Sequence, residues 1–164
     1  ISACLVGSEM CIRDRAYAVI PKGTMSDIVT SLLPHWTGTR LWVLSRPLSG
    51  FAETFSQYIM EVQPGGGSDR PESDPDAEGV LFVVEGEITV SVDGEAHRLH
   101  AGCYAYLPPS SNWTLSNAGD RVARFHWVRK AYEAVDGIDV PEPLFLDEAS
   151  IAPTPMPGLS LIHI

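Results

Sequence analysis

Short apolar segments at near-even spacing, separated by turn residues, are the feature that most constrains how this chain can fold. Each segment is rich in β-branched or aromatic residues or alternates polar and apolar side chains; they comprise residues 40–45, 54–62, 80–84, 87–92, 95–99, 104–107 and 122–128. Asp93-Gly94 predicts a two-residue hairpin, because both central positions of a type I′ turn require positive φ. Pro108-Pro109 ends a strand because proline cannot donate to a ladder. The series lacks helical periodicity and predicts an all-β, antiparallel sandwich or barrel.

The region between the second and third segments interrupts this pattern. Residues 64–67 read Pro-Gly-Gly-Gly and predict a break in the chain. An acidic loop follows, which we interpret as a solvated surface; its acidic residues are Asp69, Glu72, Asp74, Asp76 and Glu78. Residues 80–84 are then apolar without interruption, which predicts a strand that is buried on both of its faces.

Residues 102–117 carry a recognisable motif. They read Gly-Cys-Tyr-Ala-Tyr-Leu-Pro-Pro-Ser-Ser-Asn-Trp-Thr-Leu-Ser-Asn. This run resembles the second cupin motif, G-x5-P-x-G-x2-H-x3-N, in register at Gly102, Pro108 and Asn117. Ser110 occupies the second glycine position and Trp113 occupies the histidine position. The resemblance implies a cupin-type jelly roll, which is a double-stranded β-helix.

The first cupin motif, H-x-H-x3-E-x6-G, is resembled by the stretch that ends at Gly86. In that register the two histidine positions hold Ser73 and Pro75, and the glutamate position holds Gly79. Metal sites in such barrels need imidazole and carboxylate donors that converge from neighbouring strands. Trp113 replaces the histidine of the second motif in the same way, so none of the four ligand positions keeps its imidazole or carboxylate donor. The sequence therefore predicts no metal ion and no other cofactor in this chain.

The two ends of the chain resemble a translated sequencing-library adapter. Residues 11–14 read Cys-Ile-Arg-Asp. Possible codons for this segment are the reverse complement of possible codons within residues 159–164. Both stretches match a transposase adapter. We therefore interpret residues 1–15 and 159–164 as adapter-derived and non-native, as a tag would be. Residues 16–158 remain, which is enough for one domain.

Charge and hydropathy limit the partners of the remaining chain. The net charge of −10 is unchanged by removing the ends, because Arg13 and Arg15 leave together with Glu9 and Asp14. An acidic chain without a basic face is a poor ligand for phosphate backbones, which excludes nucleic acid as the expected partner. No apolar run reaches transmembrane length, so no membrane partner is expected.

Residues 16–25, 46–51, 124–130 and 151–158 resemble one family closely, the bacterial (S)-ureidoglycine aminohydrolases of purine and allantoin catabolism. That resemblance implies two tandem cupin barrels: a degenerate N-terminal barrel and a C-terminal barrel that holds Mn²⁺ and the active site. Residues 16–132 would be the degenerate barrel, and residues 133–158, rich in proline, the connection to a C-terminal barrel that is not in this sequence.

The family's reaction is the hydrolysis of ureidoglycine to ureidoglycolate and ammonia. Because the ligands and substrate contacts of the family lie beyond residue 158, the resemblance assigns no catalytic and no metal-binding residue to this chain. We expect the fragment to be inactive alone. In the full-length protein we expect it to supply scaffold and homo-oligomer contacts, with the small-molecule substrate bound by the complete enzyme in the bacterial cytoplasm.

A different class of function remains open, a stand-alone metal-free cupin that binds a small molecule. In that case Trp113 would line a vestigial pocket with Gln57, Tyr104 and Tyr106; otherwise it would fill the barrel mouth with apolar area. Cys103 is the only cysteine outside the adapter-like ends, so no native disulfide is expected. It is interpreted as a small buried residue, since the sequence places no base beside it.

Overall fold

An antiparallel jelly-roll barrel accounts for most of the chain. The computed structural model describes residues 2–6, 9–13, 18–19, 33–45 and 54–152. Nine strands form one hydrogen-bonded sheet: β4 Trp36–Ser45, β5 Phe55–Ser68, β6 Ala77–Glu85, β7 Glu87–Val92, β8 Glu95–His100, β9 Cys103–Leu107, β10 Trp113–Ser116, β11 Ala123–Ala131 and β12 Leu144–Asp147. The predicted all-β, cupin-type fold is confirmed.

Strand neighbours in the sheet are mostly distant in sequence. The order is β12-β9-β6-β11-β5-β10-β7-β8, with β4 also paired to β5. The Asp93-Gly94 turn joins β7 to β8 with φ values of 50° and 89°, as the hairpin prediction required. A short 3₁₀ helix, Glu148–Ser150, follows β12. Among the described residues, no helix is long and apolar enough to cross a membrane.

The core lies between the inward faces of the strands and follows their period-two pattern. In β7 alternate residues Ile88, Val90 and Val92 are buried, and β9 buries Cys103 and Ala105 in the same way. The largest fully enclosed side chains of the core include Phe125, Met60, Leu81, Ile88, Leu107 and Leu115. Alternation of this kind places one face of each strand inside the barrel and the other outside.

The predicted break at residues 64–67 is wrong. β5 continues through Pro64 and the three glycines to Ser68, and pairs there with both β4 and β10. The chain approaches its neighbours so closely that a Cβ on Gly67 would lie 2.1 Å from the carbonyl oxygen of Leu115. Glycine in a strand often marks a bulge or a close approach of two backbones rather than the end of the strand.

Two strands were missed by the sequence pattern. β10 is only four residues long, and β12 lies inside the proline-rich segment that was predicted to be a connection. β12 pairs with β9 from Leu144 opposite Tyr106 to Asp147 opposite Cys103. Residues 144–147 therefore add a strand to the barrel sheet. The rest of the predicted connection, from residue 153, lies outside the described residues.

The segment interpreted as adapter-derived forms a small sheet of its own. β1 Ser2–Val6 pairs with β2 Glu9–Arg13, which pairs in turn with β3 Ala18–Val19. Among the described residues, no strand pairing joins this sheet to the barrel sheet. Residues 159–164, most of 16–25 and all of 46–51 lie outside the described residues.

Candidate functional site

The positions that would hold a cupin metal gather at one end of the barrel. Ser73, Pro75 and Trp113 line one open cleft of about 480 Å³. Gly79 is buried on β6, directly behind the side chain of Trp127. Three of the four positions identified from the two cupin motifs thus lie around the same cleft.

A cluster of tryptophan side chains occupies the interior beside these positions. The ring centroid of Trp127 lies 5.8 Å from that of Trp36 and 6.0 Å from that of Trp113, and the second pair is edge-to-face. A Cβ on Gly79 would lie 3.3 Å from Trp127 Nε1. The absence of a side chain at the glutamate position therefore leaves the space that the indole fills. Aromatic packing of this kind contributes about 0.5–1.5 kcal/mol per pair beyond burial.

The framework of the motifs is retained although the donors are gone. Asn117 is 1% exposed; its Nδ2 donates to the carbonyl oxygens of Val62 at 2.9 Å and Arg121 at 2.8 Å, and its Oδ1 accepts from Gly119 N at 3.0 Å. Ser110, at the second glycine position, adopts a φ of 60°, which is the conformation that glycine would favour.

The predicted vestigial pocket is not formed. Gln57, Tyr104 and Tyr106 alternate with core residues on β5 and β9, so their side chains lie on the outside of the barrel, whereas Trp113 is buried inside. Adjacent strand residues point to opposite faces. Gln57, Tyr104 and Tyr106 therefore cannot line one pocket with Trp113.

The outside of the sheet instead presents a continuous, largely apolar surface. One cross-strand row runs over six strands from Leu146 through Tyr104, Phe82, His126 and Ile59 to Trp42. A parallel row contains Leu144, Tyr106, Val80, Val128 and Gln57. We name these two rows, together with Val84, the outer sheet face.

Exposure within the outer sheet face is high for apolar residues. Val84 is 52% exposed, Leu144 45%, Leu146 38% and Phe82 37%. The prediction that residues 80–84 are buried on both faces is therefore wrong for this chain alone, because Leu81 and Val83 point inward while Phe82 and Val84 remain exposed.

The polar groups of this face lie at its margins or are held by neighbours. Tyr106 Oη donates to Glu78 Oε2 at 2.8 Å; burial and this carboxylate both raise the pKa of Tyr106. At the opposite margin Arg124 binds Glu61 at 3.0 Å and Glu85, and the hydrogen bond that Arg124 donates to Glu61 raises the pKa of Arg124. In the centre, His126 Nδ1 is buried and has no hydrogen-bond partner among the described residues.

A second cavity, of about 330 Å³, opens beside the tryptophan cluster. Trp36, Tyr58, Trp127, Arg70 and Arg129 line it. Trp127 Nε1 is buried without a hydrogen-bond partner in the described part of the chain. Of the residues that line this cavity, the sequence analysis named Ser73 and Glu72 but not the aromatic walls. The alternation in β11 places Trp127 inward with Phe125.

Arg129 is held at the wall of this cavity by the acidic loop. Its Nε and Nη2 donate to the two carboxylate oxygens of Glu72 at 2.7 Å each. Burial lowers the pKa of Arg129, but the hydrogen bonds and charge of Glu72 outweigh it, and the pKa lies above its usual value. The predicted solvated loop is thus correct for Asp69, Asp74 and Asp76, which are exposed, but not for Glu72 and Glu78, which are half-buried.

Comparisons with known proteins agree with this architecture. Residues 58–129 match the family model of the cupin domain. A protein of Pseudomonas aeruginosa described as glyoxylate-induced superposes with a TM-score of 0.84 at 52% identity, over 93% of this chain and 57% of that one. Protein Ylba of Escherichia coli superposes with a TM-score of 0.71 at 23% identity, over 78% of this chain and 52% of that one. At the latter identity the likeness shows the fold alone.

One protein of similar sequence is described as an enzyme. The (S)-ureidoglycine aminohydrolase of Escherichia coli strain K12 is 27% identical over 133 residues, which are 81% of this chain and 49% of that protein. The chain thus spans about half the length of this curated relative and of the Pseudomonas protein. Residues 58–129 are thus similar to the cupin domain, and most of the chain is similar to about half of an (S)-ureidoglycine aminohydrolase.

Proposed function

We propose that this barrel holds no metal at its cupin positions and is the non-catalytic N-terminal half of an enzyme of the (S)-ureidoglycine aminohydrolase type. The whole enzyme would convert ureidoglycine and water to ureidoglycolate and ammonia, with Mn²⁺ and the catalytic residues in a second, C-terminal cupin barrel. The similarity to about half of the Escherichia coli enzyme supports this. So does the replacement of donors by Ser73, Pro75, Gly79 and Trp113.

The outer sheet face is the observation that carries the proposal. A sheet face turned to water normally carries polar residues, and monomeric proteins rarely expose large contiguous apolar patches. Here apolar and aromatic side chains follow one another across six strands. Such a face fits a scaffold barrel that packs against another protein surface.

The proposed occupant of this face is a second cupin barrel of the same enzyme, with homo-oligomer contacts in the full-length protein. The centre of the face carries no Asp, Glu, Lys or Arg, and its charges lie at the margins, on Glu61, Glu85 and Arg124 at one end. Two sheets can therefore meet without opposing like charges, although the chain carries a net charge of −10.

Ammonia release from freshly prepared ureidoglycine, with and without Mn²⁺, tests the proposal. The fragment alone should release ammonia at the spontaneous rate, because no described cupin position offers a metal donor. A fusion to the C-terminal cupin of the Escherichia coli relative should show Mn²⁺-dependent turnover. Turnover by the fragment alone would place the active site in this half and overturn the proposal.

A matched pair of variants tests the outer sheet face within the fusion. Phe82→Glu puts a charge in the centre of the face, where burial of an unpaired carboxylate costs at least several kcal/mol. It should lower both turnover and the melting temperature of the fusion. Thr114→Glu, at an exposed position on β10, should behave as the parent fusion. Equal activity of the two variants would show that the face is not the contact.

Binding of a small molecule by the isolated barrel is the second candidate function, and the cavity beside the tryptophan cluster favours it. The aromatic walls, Arg70 and the unpartnered Nε1 of Trp127 suit a small planar molecule with an acceptor oxygen, such as a carboxylate. Titration of the fragment with glyoxylate, followed by tryptophan fluorescence, is the test. A saturable change that Arg70→Ala abolishes would favour this function over the scaffold.

A further inference from the structure

A cysteine, a histidine and an aspartate from three strands meet at one corner of the barrel, away from the cupin positions. Cys103 Sγ lies 3.2 Å from His100 Nδ1 and 3.9 Å from His100 Nε2. His100 Nε2 lies 3.4 Å from Asp147 Oδ2. One donor atom of each residue lies within 4.8 Å of the others.

The fold holds these three side chains in place through its backbone. Cys103 on β9 and Asp147 on β12 are directly opposite in the ladder, so their side chains lie on the same face of the sheet. Gly102, with a φ of 91°, turns the chain from His100 into β9. Glu148 N donates to Gly102 O at 3.1 Å and ties β12 to this turn.

The aspartate is oriented by a separate hydrogen bond. Asp147 Oδ1 accepts from Ala149 N at 3.0 Å as the N-cap of the 3₁₀ helix. Its Oδ2 is thereby directed toward His100. A capped carboxylate of this kind is positioned before any ligand arrives, which lowers the entropic cost of binding.

We propose that His100, Cys103 and Asp147 form a binding site for Zn²⁺ or a similar borderline-soft divalent ion. Tetrahedral zinc holds thiolate sulfur at about 2.3 Å and nitrogen or oxygen at about 2.0–2.2 Å, so its donor atoms lie roughly 3.3–3.8 Å apart. The separations from His100 Nε2, 3.9 Å to sulfur and 3.4 Å to oxygen, are close to this range, and all three donor atoms lie within 4.8 Å of one another. Binding releases the thiol proton of Cys103 to water.

The burial of the three ligands fits an ion with an open coordination position. Cys103 is 4% exposed, whereas His100 is exposed and Asp147 half-buried. Sulfur would therefore bind from the protein side, and water would complete the shell from the solvent side. Thiolate selects zinc over manganese, which prefers oxygen ligands. This site is independent of the proposed scaffold role and of the four cupin positions that the sequence predicted to be empty of donors.

Cobalt(II) is the spectroscopic probe of the site. The test protein is the full chain with Cys4→Ser and Cys11→Ser, so that Cys103 is its only thiol. Titration with Co²⁺ should produce a thiolate-to-metal charge-transfer band in the near ultraviolet that saturates at one equivalent and is displaced by Zn²⁺. Cys103→Ser should abolish the band.

Two further variants separate coordination from folding. His100→Gln changes an exposed residue and should leave the circular dichroism spectrum unchanged, yet weaken Co²⁺ binding about tenfold or more, as loss of groups in a metal site does. His97→Gln, at the neighbouring histidine that stacks on Phe145 at 3.7 Å, should retain the full affinity. Absence of the charge-transfer band at saturating Co²⁺, or equal affinities of the two histidine variants, would overturn the proposal.

Discussion

At the scale of single residues, tryptophan packing dominates the end of the barrel where the cupin positions lie. Gly79 removes the carboxylate and makes room, Trp113 replaces an imidazole, and Trp127 fills the space between them. Trp127 also packs edge-on against Tyr58, with centroids 5.7 Å apart. Trp127 thus packs against aromatic rings on β4, β5 and β10. Its truncation should weaken the packing of all three strands.

Trp127→Ala should lower the free energy of unfolding by about 3–5 kcal/mol, because truncating a buried aromatic leaves a cavity that the barrel cannot fully close. Val84→Ala is the control; Val84 is 52% exposed, so its truncation should change stability by less than about 0.5 kcal/mol. Urea denaturation followed by circular dichroism measures both. Equal effects of the two variants would show that Trp127 is not a packing centre.

At the scale of elements, β12 changes the interpretation of the proline-rich segment. Its four residues pair with β9, and Phe145 stacks on His97 of β8 with an interplanar angle of 11°. The strand therefore covers an edge of β9 that would otherwise present unpaired backbone groups. A segment with many prolines still contributes a strand, because the prolines lie on either side of residues 144–147.

Phe145→Ala should destabilise the barrel by about 1–3 kcal/mol, since the half-buried ring loses both its stacking partner and its contact with the core. Ile138 belongs to the same segment but is 65% exposed, and Ile138→Ala should have an effect below about 0.5 kcal/mol. Comparison of urea midpoints for the two variants is the measurement. If Phe145→Ala were as mild as the control, β12 would not be held on the barrel.

At the scale of the whole molecule, the chain forms two sheets. Among the described residues, no strand of one sheet pairs with a strand of the other. The three-stranded sheet is built largely from the segment interpreted as adapter-derived. The barrel sheet contains the core, both motif remnants and the outer sheet face. Stability should therefore reside in the barrel, and the ends should contribute little.

Deletion of residues 1–15 and 159–164 should change the melting temperature by less than about 5 °C, which corresponds to roughly 1–2 kcal/mol for a domain of this size. Terminal segments that were not selected to pack seldom stabilise a domain. Differential scanning calorimetry of the full and trimmed chains checks this. A larger drop would mean that the hairpin of β1 and β2 packs on the barrel.

The features that could be predicted from the sequence are local. Apolar, β-branched and aromatic segments or period-two alternation located seven strands, Asp93-Gly94 specified a hairpin, and Gly102, Pro108 and Asn117 marked the barrel motif, because each depends on the conformation of a few consecutive residues. The order of the strands in the sheet depends instead on contacts between distant parts of the chain. Alternation shows that a side chain faces inward or outward, but the register between distant strands depends on the packing of the whole barrel.

The two surfaces with functional interest both arise from that register. The outer sheet face exists because Tyr104, Phe82 and His126 fall in one row across three strands. The pocket expected from Gln57, Tyr104, Tyr106 and Trp113 fails because the first three side chains lie outside the barrel and Trp113 lies inside. Asp147 meets Cys103 because β12 pairs with β9, at a separation of 44 residues in the sequence. Contacts between residues so far apart in the sequence depend on tertiary packing, so they could not be predicted from a local sequence pattern.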